Sequence, residues 1–288
     1  MEKQFYPVIR QKDNLVLKQN KAGDVEYLTF PILDNIPCVS HLFTTRIGGV
    51  SEGIYSSMNV SFTRGDKEEA VMENFRRIAD IFKVPLESFV CSDQTHTTNI
   101  RIITKEDMGK GLTKERDYID IDGLITDESG IVLSTFYADC VPLYFVDPVK
   151  KIIGLSHSGW KGTVGKIGLK TVEKMQETFG SRPEDIVCAI GPSICKDCYE
   201  VSEDVVLEMK RAFANNEQVM RQIAYPKENG KYLLDLWKAN EFILQEAGIK
   251  KEHIQITDVC TCHNPDYLFS HRASMGKRGN LGAFLMLK

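Results

Sequence analysis

Ile131-Val132-Leu133-Ser134-Thr135-Phe136-Tyr137-Ala138-Asp139-Cys140-Val141-Pro142-Leu143-Tyr144-Phe145-Val146-Asp147-Pro148 is the stretch whose reading decides the fold. Two short apolar runs, rich in β-branched and aromatic residues, flank a link that carries Asp139 and Cys140. Runs of this length and composition predict strands. Asp147-Pro148 predicts a turn, and a third run, Ile152-Ile153-Gly154-Leu155-Ser156, ends at His157. Two antiparallel strands joined by that turn place Cys140 and His157 side by side.

Outward from this centre, strands are predicted at Leu15–Leu17, Tyr27–Phe30, His41–Thr45, Ile186–Ile190, Ile254–Thr257 and Ala283–Leu287. A helix is predicted from an Asp66 N-cap, with Glu69 completing a capping box and Val71, Phe75, Ile78 and Phe82 on one face. A second runs from about Val164 to Phe179, with Val164, Ile167, Val172, Met175 and Phe179 apolar and Gly180 as its stop. Two more begin near Ser202 and Asp235, the latter closing at Gly248. Strands and helices mix without regular βαβ alternation, so the expected class is α+β with mixed sheets flanked by helices.

The 288 residues suit one compact domain, 1–288, with no internal repeat or long linker. Apolar residues at 42% and charged residues at 26% are ordinary globular values. A net charge of -4 argues against a nucleic-acid coat protein but permits a local basic pocket. The start, Met1-Glu2-Lys3-Gln4-Phe5-Tyr6, lacks a signal pattern, and no apolar run approaches the roughly 18 residues of a membrane span. The expectation is a cytoplasmic protein, its eight cysteines thiols or metal ligands rather than disulfides.

The chemistry concentrates in Gln94-Thr95-His96, Ala138-Asp139-Cys140-Val141-Pro142 and His157-Ser158-Gly159-Trp160-Lys161-Gly162. Two imidazoles and a thiolate hold a zinc ion and leave one position open, the mark of catalytic rather than structural zinc. A lone histidine is more often structural, and His41 and His253 have no supporting context. His96 differs because Ser92, Asp93, Gln94, Thr95, Thr97, Thr98 and Asn99 surround it. Cys140 with His157 also permits a hydrolase nucleophile, with Asp139 orienting the imidazole. Cys195-Lys196-Asp197-Cys198 and Cys260-Thr261-Cys262-His263 imitate a zinc knuckle, but roughly sixty residues separate them, and packed thiols are the favoured reading. Arg46, Arg64 and Arg272 stand beside small residues that suit anion binding. Arg46, with Gly48 and Gly49, is the leading phosphate candidate, ahead of Arg64 and Lys161.

The chain resembles the YlmD/YfiH family, the laccase-domain or multicopper polyphenol oxidase proteins. The resemblance runs over most of the sequence, through Thr45-Arg46-Ile47-Gly48-Gly49-Val50-Ser51, Gln94-Thr95-His96, Asp122-Gly123-Leu124-Ile125-Thr126, Ala138-Asp139-Cys140-Val141-Pro142 and His157-Ser158-Gly159-Trp160-Lys161-Gly162-Thr163. Ile190-Gly191-Pro192-Ser193-Ile194, Cys198-Tyr199-Glu200-Val201, Cys260-Thr261-Cys262-His263 and Phe269-Ser270-His271-Arg272 complete it. It departs where the family has Gln-Val-His-Gly, His-Ala-Gly-Trp-Arg-Gly and Tyr-Arg. Lys161 in place of arginine exchanges a planar fork for a point charge.

The resemblance implies zinc on His96, Cys140 and His157, and an α+β fold similar to a bacterial deamidating toxin domain. It implies phosphorolysis of adenosine, inosine and methylthioadenosine, with adenosine deamination alongside. The partners are then purine nucleosides and inorganic phosphate, not nucleic acid or membrane. Deamination needs a carboxylate acid/base, for which Asp139 and Glu200 are candidates. The laccase name implies copper and phenol oxidation, which six scattered histidines support poorly. A Cys140–His157 amidohydrolase and a noncatalytic module retaining a zinc site are the other readings.

Overall fold

The computed structural model describes residues 5–11 and 16–288. One six-stranded sheet has the order β1 (Lys18–Ala22), β2 (Val25–Thr29), β3 (Val39–Thr44), β15 (Leu281–Leu287), β7 (Val132–Tyr137), β4 (Phe89–Cys91). The other has the order β14 (Ile254–Ile256), β10 (Val187–Ile190), β8 (Val141–Asp147), β9 (Ile152–Ser158), β6 (Gly123–Thr126), β5 (Ile100–Ile102). Both are mixed, each with parallel and antiparallel pairs. A small sheet joins β11 (Glu200–Val201), β13 (Tyr232–Leu234) and β12 (Ala224–Pro226). The helices are α1 (Pro31–Asp34), α2 (Glu68–Phe82), α3 (Trp160–Val164), α4 (Ile167–Phe179), α5 (Glu203–Ala212), α6 (Glu217–Ile223) and α7 (Leu236–Glu246). None is long and apolar enough to cross a membrane.

Period-two alternation stacks these parts in four layers. On β15, Leu281, Ala283, Leu285 and Leu287 face the second sheet, packing in one core with Tyr144, Val146, Ile153 and Leu155. The alternate residues Phe284 and Met286 face outward to Val71, Phe75, Ile78 and Phe82 of α2, the four positions its sequence period places on one face. Val141, Leu143 and Phe145 of β8 face outward to Ile167, Val172 and Met175 of α4 and Ile243 and Leu244 of α7. Each buried Leu, Ile, Val, Phe or Met among them contributes about 1.5–3 kcal/mol by leaving water.

The expected hairpin is present, with β8 and β9 antiparallel and Pro142 opposite His157. The run before it is not part of that hairpin. β7 belongs to the first sheet and β8 to the second, so Ala138-Asp139-Cys140 is the crossing between them. Residues 92–99, which carry His96, make a second crossing, from β4 to β5. The site is built where the chain changes sheets.

Other expectations shift. Lys67, not Asp66, takes the N-cap position of α2; the Asp66 carboxylate accepts from Asn59 Nδ2 at 2.9 Å and the Lys67 N–H at 2.9 Å. The single helix 164–179 is two, α3 and α4, separated by Lys166 in the left-handed region at φ 55. α7 starts near Asp235 as expected, and the Asp235 side chain caps it, accepting from the Lys238 N–H at 2.9 Å. Leu15 of the first predicted strand lies outside the described residues, and Val16 and Leu17 precede β1 rather than forming a strand.

Candidate metal centre and substrate pocket

His96, Cys140 and His157 converge. Their ligand atoms all lie within 4.8 Å of one another, and Cys140 Sγ is 3.8 Å from His96 Nε2. The two rings stand near perpendicular, with centroids 4.9 Å apart. His157 is buried, Cys140 half-buried and His96 exposed, so the cluster is closed on one side and open on the other. Both crossings reach it through left-handed backbone at non-glycine residues, His96 at φ 67 and Asp139 at φ 85. Such positions cost about 1–3 kcal/mol each and gather at functional sites.

Asp122, fully buried at the head of β6, organises the cluster. Its carboxylate accepts from His157 Nδ1 at 2.7 Å. It also accepts the backbone N–H groups of Thr95 at 3.1 Å, His96 at 3.2 Å and Thr97 at 2.8 Å, and the Thr97 hydroxyl at 2.9 Å. One carboxylate thus fixes the tautomer of one imidazole, leaving its Nε2 free for a metal, and folds the loop that carries the other. Burial works to raise the Asp122 carboxyl; the His157 hydrogen bond and charge, with the Thr97 donors, hold it below its ordinary value. Burial likewise opposes ionisation of Cys140, yet His157 and then His96 pull its thiol down to about 6. Burial would lower His157; Cys140 and Asp122 together lift it to about 9.

Gly159 explains the small residues after His157. A Cβ there would stand 2.9 Å from His96 Cδ2 and 3.0 Å from Cys140 Sγ, so only glycine lets α3 start this close. Gln94 completes the frame: its amide donates to the Phe136 carbonyl at 2.7 Å and accepts from the Phe136 N–H at 2.6 Å, tying the His96 loop to β7.

The triad opens into a cavity of about 360 Å³ whose walls include Phe62, Phe136, Arg64, Arg278 and Asn280. That volume suits a small organic ligand. Arg278 is buried; among the described residues its Nε has no partner, and its Nη1 reaches Asn280 Oδ1 and the Gly279 carbonyl. Burial, followed by the adjacent charge of Arg64, lowers its guanidinium to about 10. Among the described residues neither arginine pairs with a carboxylate. The two guanidinium groups, Arg278 buried and Arg64 exposed, stand close enough on the cavity wall to repel each other, with Asp139 and Cys140 partly offsetting the charge of Arg278.

The other sequence candidates fall differently. Arg46 does not line this cavity. Its Nε donates to the Ser56 carbonyl at 2.8 Å, its Nη1 to the Pro265 carbonyl at 2.5 Å, and its guanidinium covers the Phe269 ring. The adjoining glycines serve packing: a Cβ at Gly48 would meet Asp24 O at 2.2 Å, and one at Gly49 would meet Ser57 O at 2.1 Å. Arg46 braces two loops away from the cavity, whereas Arg278, which the sequence reading did not single out, lies on the cavity wall. Lys161 is exposed on α3 against Trp160, outside the cavity wall. Arg272 donates to the carbonyls of Cys198 and Glu200, both at 3.1 Å. Glu200 pairs with Lys227 and Lys231 in the small sheet. Asp139 adjoins Cys140 in sequence, but its Oδ1 accepts from Thr261 Oγ1 at 2.6 Å and its Oδ2 from the Arg272 N–H at 2.7 Å. It holds the C-terminal loop against the crossing. His41 is a core residue, accepting the Phe30 N–H at 2.8 Å and held neutral by burial at about 3.

Two imidazoles and a thiolate suit zinc, and the histidine oriented by a carboxylate is the usual support of a metal ligand. Only two groupings of three or more ligand-type residues occur among the described residues, and neither holds the imidazoles of a multicopper centre.

Fold and site together define a laccase-domain protein. The family described as "Multi-copper polyphenol oxidoreductase laccase" matches residues 40–288, and the chain belongs to it, within its YlmD/YfiH group. It is 38% identical over 247 residues to "Purine nucleoside phosphorylase YlmD" of Bacillus subtilis, covering 85% of this chain and 87% of that one. The solved structure of YlmD from Geobacillus stearothermophilus superposes with a TM-score of 0.84 at 33% identity, covering 98% of this chain and 100% of that one. The YfiH structure from Bacillus licheniformis gives 0.86 at 34% identity, covering 93% and 97%.

Proposed function

We propose that this chain is a zinc-dependent purine nucleoside phosphorylase acting on adenosine, inosine and methylthioadenosine, with adenosine deamination as a side activity. It works as a single catalytic unit over residues 1–288, in the cytoplasm, on free nucleosides and inorganic phosphate. The observation that carries this reading is the Arg64–Arg278 pair, two guanidinium groups with no carboxylate ion pair among the described residues, on the wall of the cavity into which His96, Cys140 and His157 open. The names of its relatives agree with it.

In phosphorolysis the C1′–N9 bond breaks, a phosphate oxygen bonds to C1′, and the purine leaves with the electron pair and takes up a proton. Arg64 and Arg278 hold the phosphate, their forks matching its oxygens. Phe62 and Phe136 give the cavity the apolar lining that receives the purine. His96, Cys140 and His157 would hold the zinc, with Asp122 keeping the His157 Nδ1 proton in place. Bound there, the metal supplies a Lewis acid beside the reacting groups. Both Asp139 oxygens already accept hydrogen bonds that brace the C-terminal loop, and the wall's Asp93 is paired with Arg116 at 2.7 Å, so neither carboxylate is presented alone to a deamination site. Phosphorolysis is therefore the principal reaction.

Incubating metal-replete protein with adenosine, with and without phosphate, tests the proposal. Adenine released only with phosphate, and lost in His96→Ala, is the expected result. Adenine release independent of phosphate, or unchanged in the variant, contradicts it.

Cys140, His157 and Asp122 also compose a nucleophile, base and orienting carboxylate, which favours a cysteine hydrolase as the second reading. Thiol alkylation then stops an enzyme that chelation leaves active.

A further inference from the structure

The cysteines that sequence spacing sets far apart meet in space. Cys195, Cys198, Cys260 and His263 bring their ligand atoms within 4.8 Å of one another. The topology accounts for this. β10 and β14 pair in parallel, Ser193 bridges Cys260 beyond their ends, and the two loops leave the sheet together. Each loop then contributes two ligands with two residues between them, Cys195 with Cys198 and Cys260 with His263. This is the two-knuckle arrangement of a closed, four-coordinate site. Cys195 Sγ is 3.7 Å from His263 Nδ1. Cys195 and Cys260 are buried, and Cys198 and His263 half-buried.

We infer that these four residues form a second metal site, structural in kind and of the zinc class, separate from the His96–Cys140–His157 cluster. Three soft thiolates and one imidazole select zinc over oxygen-seeking cations, and four protein ligands leave no position for substrate. The Gln11 amide, 2.9 Å from His263 Nδ1, gives up that contact when the metal binds.

The position gives the site a purpose. Thr261, between two of the ligands, donates to Asp139. The Ile194 N–H, next to Cys195, donates to the Asp139 carbonyl at 3.0 Å. Arg272 donates to the Cys198 carbonyl and, through its own N–H, to Asp139. A metal here staples three segments behind the left-handed turn that presents Cys140. The inference stands whether or not the open cavity is that of a phosphorylase.

The test is metal content with cobalt substitution on the full chain. Wild type should hold two zinc ions, and Cys140→Ala should keep one. In that variant cobalt should give the strong sulfur-to-metal absorption of several thiolates. Cys198→Ser and the milder His263→Gln should each lose one zinc, keep the other, and lower the midpoint of thermal unfolding by roughly 5–10 °C. One zinc in wild type, absent from Cys140→Ala and unchanged by His263→Gln, would overturn the inference. So would an intact mass two hydrogens light, which assigns these thiols to a disulfide.

Discussion

The two cysteine–histidine clusters use the same donors toward opposite ends. The His96–Cys140–His157 cluster has three ligands, one of them exposed, and opens onto a cavity lined by Arg64 and Arg278. The Cys195–Cys198–Cys260–His263 cluster has four ligands and sits behind the first, where loops cross. What separates them is less the ligands than what surrounds them. Asp122 holds His157 through its outer nitrogen and shapes the His96 loop, leaving the ligand side facing the cavity. Around the second cluster the Thr261 hydroxyl, the Arg272 N–H and the Ile194 N–H all donate to Asp139. An open site with a fixed tautomer suits chemistry; a closed one suits fastening.

Substitutions break this contrast most sharply at the ligands. His157→Ala should cut phosphorolysis by about 10³-fold or more with the fold retained, whereas Cys198→Ser should lower the unfolding midpoint and leave kcat within about tenfold. Steady-state kinetics beside calorimetry separates the two, and equal effects on both properties would erase the distinction. Asp122→Asn should follow, weakening metal binding or activity by about 10–100-fold as the His157 tautomer and the His96 loop relax. Competition with a chromogenic chelator measures it; unchanged affinity would remove Asp122 from the account. Arg278→Met should raise KM for phosphate by about 10–100-fold, consistent with losing a charged hydrogen-bond donor of about 1.5–3 kcal/mol, while KM for the nucleoside changes little. The reverse pattern would move phosphate off this wall. Smallest in activity is Arg46→Met, which should leave the phosphate KM within about twofold and reduce stability by about 1–3 kcal/mol in urea unfolding.

Much of the fold was legible where physics is local. The β8–β9 hairpin follows from apolar runs and an Asp-Pro turn, and α2 from four residues at helical spacing. His96 was readable from its polar neighbours, and Cys140 and His157 from small or acidic neighbours at or near strand ends. The rest depends on distant pairing. The second cluster forms only because β10 and β14 lie side by side in parallel, a contact that no local pattern in either segment announces. Arg278, between Lys277 and Gly279, reads as a surface charge, and its burial arises from packing that also buries Gly279. Arg46 stands apart from the cavity, and the glycines beside it mark close approach of backbone to backbone.

The central claim, that the open cluster with its arginine wall is a metal-dependent phosphorylase site, is tested most directly by stripping the protein of metal and returning zinc. Phosphate-dependent release of adenine from adenosine should vanish on stripping, return with zinc in wild type, and fail to return in His157→Ala. Adenine release at the full rate from stripped protein, or restored by zinc in His157→Ala, would contradict it.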